Sequence, residues 1–152
     1  MKRFVFPQDP ILSLKRQLQR KVQLVVAKSM HEVETIQAVI REHRNRLGNA
    51  ATEMERDSSS ISTSMFRSFQ QIQSLILFEK QRLSEAEAKH RELQRHLQNI
   101  TTEVEALEFL RLQRKTEHQK KIDKHEQELI EESSRVKNMI DQLESAKESS
   151  NV

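Results

Sequence analysis

The sequence predicts an all-α protein: two long helices in an antiparallel coiled-coil hairpin, with a C-terminal helical overhang. Three observations carry that reading. Apolar residues recur at alternating steps of four and three over long stretches, the mark of a coiled-coil seam. The 152 residues include one Gly and two Pro, too few for the tight turns of a sheet protein. Charged residues reach 32% and hydrophobic ones only 35%, short of the roughly 45–50% of an ordinary globular chain. A single elongated domain, 1–152, accommodates all three.

Helix 1 is expected over about 10–56. Asp9 suits the N-cap because its carboxylate accepts hydrogen bonds from free amides, and Pro10 suits the first helical position because it has no amide hydrogen to lose. The apolar seam then reads Ile11, Leu14, Leu18, Val22, Val25, polar Ser29, Val33, Ile36, Ile40, His43 and Leu47. Its early steps follow an eleven-residue repeat and its later ones a seven-residue repeat. That pattern predicts a nearly straight start passing into a left-handed twist.

The pattern decays after Gly48. From Asp57 to Ser64, six of eight residues carry hydroxyls, which compete for backbone hydrogen bonds and favour turns and caps. A loop of about 57–64 suits two antiparallel neighbours.

Helix 2, about 65–147, has the cleanest signal. Met65, Phe69, Ile72, Ile76, Glu79, Leu83, Ala86, His90, Leu93, Leu97, Ile100, Val104 and Leu107 keep strict heptad steps, with only Glu79 and His90 out of character. In the same phase the seam then turns polar at Arg111, Arg114, His118, Lys121 and His125. A turn centred between Ser60 and Ile61 makes facing residue numbers total about 121. Leu110 then meets Ile11, so helix 2 loses its seam where helix 1 ends. The rest, to Lys147, is expected to overhang without an intramolecular partner for ~55 Å, at ~1.5 Å per residue. It carries Ile122, Leu129, Val136 and Leu143 at seven-residue spacing, a stripe too thin to stand alone but fit for docking. Residues of about 148–152 read as a frayed tail.

Catalytic chemistry finds no foothold. Without Cys there is no disulfide, thiolate nucleophile or Cys-based zinc site. The six His contain no HExxH and no His pair at i, i+4, the single Gly excludes glycine-rich phosphate loops, and no G-x-S-x-G elbow occurs. The sequence therefore predicts a non-enzyme with no metal, cofactor or small-molecule substrate. Met1–Phe6 begins like a signal peptide, but Pro7–Pro10 cut the apolar stretch short, so a cytoplasmic protein is expected.

Two clusters point instead to partners. Arg111, Arg114, Lys115, Lys120, Lys121 and Lys124 are offset only by Glu117 and Asp123. The group reads either as a solvated helix face or as a contact for an acidic protein surface. Nucleic acid is disfavoured because no aromatic residue follows Phe109 and no reading motif is present. Near the start of helix 2, Phe66, Leu75 and Phe78 leave the phase that Phe69, Ile72 and Ile76 keep. They form either a partner patch or packing for the loop.

Three segments resemble the FliJ family, the stalk proteins of bacterial flagellar type III export. Phe4-Val5-Phe6-Pro7 leading into Ile11-Leu12-Ser13-Leu14-Lys15-Arg16 resembles the family's opening. Phe69-Gln70-Gln71-Ile72-Gln73-Ser74-Leu75 resembles its aromatic-Gln-Gln segment. Glu126-Gln127-Glu128-Leu129-Ile130-Glu131-Glu132 is similar to its C-terminal acidic run. Their order and spacing span nearly the whole chain.

The resemblance implies a two-helix antiparallel coiled coil like the central stalk of rotary ATPases, placed at the cytoplasmic membrane base of the flagellum. One end would enter the hexameric export ATPase and the other would touch the membrane-embedded export gate, with export chaperones as further partners. By position it implies Phe69, Ile72 and Leu75 at the gate. The basic and overhanging residues Arg111, Arg114, Lys121, Lys124, Leu129, Val136 and Leu143 would then serve the ATPase ring. The alternative is a generic coiled-coil scaffold or homodimer whose basic stretch binds an acidic protein or nucleic acid.

Overall fold

A computed structural model describes residues 3–56 and 62–151. It is all-α: α1 spans Asp9–Arg56 and α2 spans Thr63–Ser150, with no strand among the described residues. Residues 57–61 of the expected loop lie outside the described part. The loop is shorter than expected at its far end, since Thr63 and Ser64 are already helical. Ser62 explains this. Its hydroxyl accepts from the Met65 amide at 3.2 Å and its carbonyl from the Phe66 amide at 3.2 Å, a side-chain N-cap followed by the first helical bond. At the other end α2 outlasts the expected frayed tail and runs to Ser150.

The helices distribute over two compact units, Ser13–Val104 and Met1–Leu12 with Glu105–Val152. In the first, α1 and α2 run antiparallel. Gln19 donates to Thr101 at 3.1 Å, Ser29 bonds His90 at 2.6 Å, and Lys15 pairs with Glu103. These partners' numbers total about 119, against an expected value of about 121. Every predicted α2 seam residue from Met65 to Val104 is buried or half-buried, Glu79 and His90 included. Val33, Ile36 and Ile40 form the centre of the core with Ala86, and Leu83 packs against them. Each large side chain fully withdrawn from water in this way contributes about 1.5–3 kcal/mol.

The N-terminal part of the α1 seam differs from expectation. Leu14, Leu18 and Val25 are exposed; the seam is formed instead by Lys15, Gln19, Val22, Val26, Ser29, Val33, Ile36, Ile40, His43 and Leu47, all buried or half-buried, with Gln37 half-buried beside it. That set keeps strict heptad steps, so the eleven-residue repeat does not govern packing. The reason lies on α2. Its strict heptads demand a left-handed wrap, and only a heptad stripe on α1 can follow it. Two polar residues enter the seam as a result, and each finds a polar partner: Lys15 takes Glu103 and Gln19 takes Thr101.

In the second unit, Phe6 and Leu12 are the most deeply buried large side chains, each 1% exposed. The Asp9 amide donates to the Phe6 carbonyl at 3.1 Å, and the first helical bond runs from the Leu12 amide to the Gln8 carbonyl at 2.9 Å. Asp9 thus stands inside the first turn rather than at the expected cap. Its carboxylate accepts from Arg111 Nε at 3.0 Å. The segment Arg3–Phe6 lies along α2, where the Phe4 and His118 rings meet at 5.6 Å between centroids. The expected partnerless stretch from Arg111 is therefore partly covered. Ile122 is still half-buried, and from Asp123 onward every described residue is exposed.

Candidate partner-binding surfaces

The start of α2 exposes four large apolar side chains, two of which share one groove. Phe66, Leu75, Leu77 and Phe78 all face solvent while Ile72 and Ile76 fill the seam. The division follows from helical phase: residues 72, 76 and 79 share the seam-facing side, and residues 67, 71, 74 and 78 fall on another. On that second side a groove of about 670 Å³ is lined by Arg67, Gln70, Gln71, Ser74, Leu75 and Phe78. It offers an apolar floor, two side-chain amides and one guanidinium, which suits an apolar anchor flanked by hydrogen-bonding groups.

The three residues first assigned to a gate contact are not brought together there. Leu75 lines the groove and is 41% exposed; Phe69 is half-buried and Ile72 is only 7% exposed within the seam. Ile72 is a core residue of the hairpin. Phe78 and Gln71 join Leu75 instead. The readable signal for Phe78 was an aromatic residue outside the heptad phase.

The basic stretch is also divided. Arg111 is committed to Asp9. Arg114 and Lys121 line a groove of about 710 Å³ together with Arg3, Phe4, Val5 and His118, while Lys124 is exposed beyond it. Arg3 adds a cation that sequence position alone does not attach to this cluster. An open surface holding Arg3, Arg114 and Lys121, with Glu117 as its acidic member, favours carboxylate-bearing ligands.

The end of α2 presents Leu129, Val136 and Leu143, all exposed, with Ile130, Met139 and Ile140 beside them. Glu126, Glu128, Glu131 and Glu132 surround the first of these residues in sequence. Exposed apolar groups of this kind make the end of α2 a candidate interaction surface.

Among the described residues no three His, Asp or Glu side chains gather where they could hold a metal ion. No described helix is long and apolar enough to cross a membrane. No family model, curated protein or solved structure matches the chain. The likeness to FliJ therefore rests on the three sequence segments alone.

Proposed function

We propose that the chain is a non-enzymatic stalk or adaptor of the bacterial flagellar type III export apparatus, coupling the export ATPase ring to the export gate. The observation that carries this reading is that α2 bears two separate exposed apolar groups. Phe66, Leu75, Leu77 and Phe78 lie near its start, and Leu129, Val136 and Leu143 near its end. A protein that bridges two partners needs one such surface for each. The start of α2 would serve the gate, and the basic groove with the acidic-apolar end would serve the ATPase.

The test is paired capture of the full chain by the purified export ATPase and by the cytoplasmic part of the gate protein. Leu75→Ala with Phe78→Ala is expected to weaken gate capture by roughly tenfold or more and to spare the ATPase, since an apolar anchor contributes about 1–2 kcal/mol or more at an interface. Ser at positions 129, 136 and 143 is expected to do the reverse. Circular dichroism must first show both variants folded. Capture of the wild-type chain by neither partner would reject the export reading in favour of a generic scaffold.

A further inference from the structure

The exposed apolar face of α1 has a complement elsewhere in the same chain. Leu14, Leu18 and Val25 are 65%, 40% and 44% exposed. They fall on one heptad stripe with Lys21 and Lys28, turned away from the seam. This part of α1 is basic: residues 11–31 hold five Lys or Arg and no Asp or Glu, and of these Lys15 is engaged by Glu103 in the seam while Lys21 and Lys28 lie on the stripe. The end of α2 is the opposite, with six Asp or Glu against two Lys or Arg over residues 126–144. Its exposed stripe has the same period, running Leu129, Ser133, Val136, Ile140 and Leu143.

We infer that the acidic end of α2 docks antiparallel on the basic face of α1 in a second copy of this chain. The register follows from the two stripes. Leu14 meets Ile140, Leu18 meets Val136 and Val25 meets Leu129, with Lys28 opposite Glu126 and Lys21 beside Ser133 and Glu132. The parallel alternative that keeps the two stripes in phase is worse at two levels, because Lys21 would then face Val136 and Lys28 would face Leu143. An unpaired ammonium against an aliphatic side chain is a usual means by which one register is rejected. The two surfaces differ from each other, so the contact is heterologous: each copy offers its α2 end to one neighbour and its α1 face to another, and the association propagates head-to-tail. This inference does not depend on the export reading. If both hold, self-docking covers the stripe assigned to the ATPase, and the two partners compete for it.

The chain has no cysteine, so single cysteines report the register directly. Lys21→Cys chains are mixed with Ser133→Cys chains at low salt and oxidised mildly. A mixed disulfide dimer is expected to form faster than either homodimer. It should also form faster than with Val136→Cys, the residue that the parallel register would bring to Lys21. Sedimentation of the cysteine-free chain supplies an independent readout. Self-association is expected to weaken with salt over the range where exposed charges become screened. It should fall by roughly tenfold or more in Leu18→Glu, an exposed position whose change leaves the hairpin intact. Lys21→Glu with Lys28→Glu should weaken it, and Glu126→Lys with Glu132→Lys added to the same chain should restore it. A chain that stays monomeric at up to ~1 mM, where even a weak association of about 4 kcal/mol would register, overturns the inference. So does preferential cross-linking to position 136, or self-association that Leu18→Glu leaves unchanged.

Discussion

Glu79 and Ser29 show how polar residues survive inside an apolar seam. Glu79 is 7% exposed, and Arg82, one turn along the same helix, donates to both of its oxygens at 3.1 and 3.2 Å. The carboxylate enters the seam with its counter-charge supplied from the rim. Ser29 has one hydroxyl hydrogen. Its oxygen lies 2.8 Å from the Val26 carbonyl and 2.6 Å from His90 Nδ1. If the hydrogen goes to the carbonyl, His90 must carry its own proton on Nδ1 and donate it to the serine. Removing one member of a buried pair is costlier than replacing it with apolar bulk. Arg82→Ala should therefore lower the hairpin's stability by about 1–3 kcal/mol, the desolvation cost of a buried group left unpaired. Glu79→Leu should be neutral or stabilising. Chemical denaturation of the two variants checks this, and equal losses in both would contradict the account.

α1 carries two candidate apolar stripes, and its packing depends on which one α2 selects. The chosen stripe includes Gln19, whose side-chain amide reaches Thr101 across the helix pair. Cysteines at Gln19 and Thr101 should consequently form a disulfide within one chain, since such bonds need Cα atoms within roughly 7 Å. A second chain with cysteines at Leu18 and Thr101 should cross-link poorly, because Leu18 belongs to the exposed stripe. Reducing and non-reducing gels distinguish the two. Efficient closure from Leu18 instead would mean that the eleven-residue repeat does set the packing. The same comparison explains Arg3–Phe6. Pro7 ends the apolar run in the sequence, yet Phe6 is buried and the Phe4 ring packs at a tilt against His118, so the segment acts as a short apolar clasp.

For the molecule as a whole, the formal net charge is only +3, but its distribution is uneven. The beginning of α1 and the stretch around 111–124 are basic, and the end of α2 is acidic. In the export reading, Arg114, Lys121 and Lys124 face acidic walls of the ATPase ring, while Arg111 is held by Asp9. Reversing those three to Glu in the full chain should abolish ATPase stimulation while hairpin melting stays within about 0.5 kcal/mol, as expected for solvated charges. Stimulation that is unaltered at low salt, where such contacts are strongest, would leave the cluster as a solvated face.

Periodicity and composition by themselves determined the all-α class, the two helices to within a few residues at each end, the α2 seam and the antiparallel pairing. Each of these depends on local propensity or on a repeat sustained over many turns, which a linear pattern displays. Burial of a particular side chain is different, because it depends on what stands opposite. Leu14 and Leu18 read as core, yet the heptad phase of α2 left them in solvent and drew Lys15 and Gln19 inward. Ile72 read as seam by its phase and as a contact residue by the resemblance, and its burial follows the phase. The patch around Phe78 was visible as a break in phase, whereas the joining of Arg3 to Arg114 and Lys121 needed the N-terminal clasp. Only the tertiary structure decided these, because a stripe on a helix becomes core when a partner of matching twist covers it.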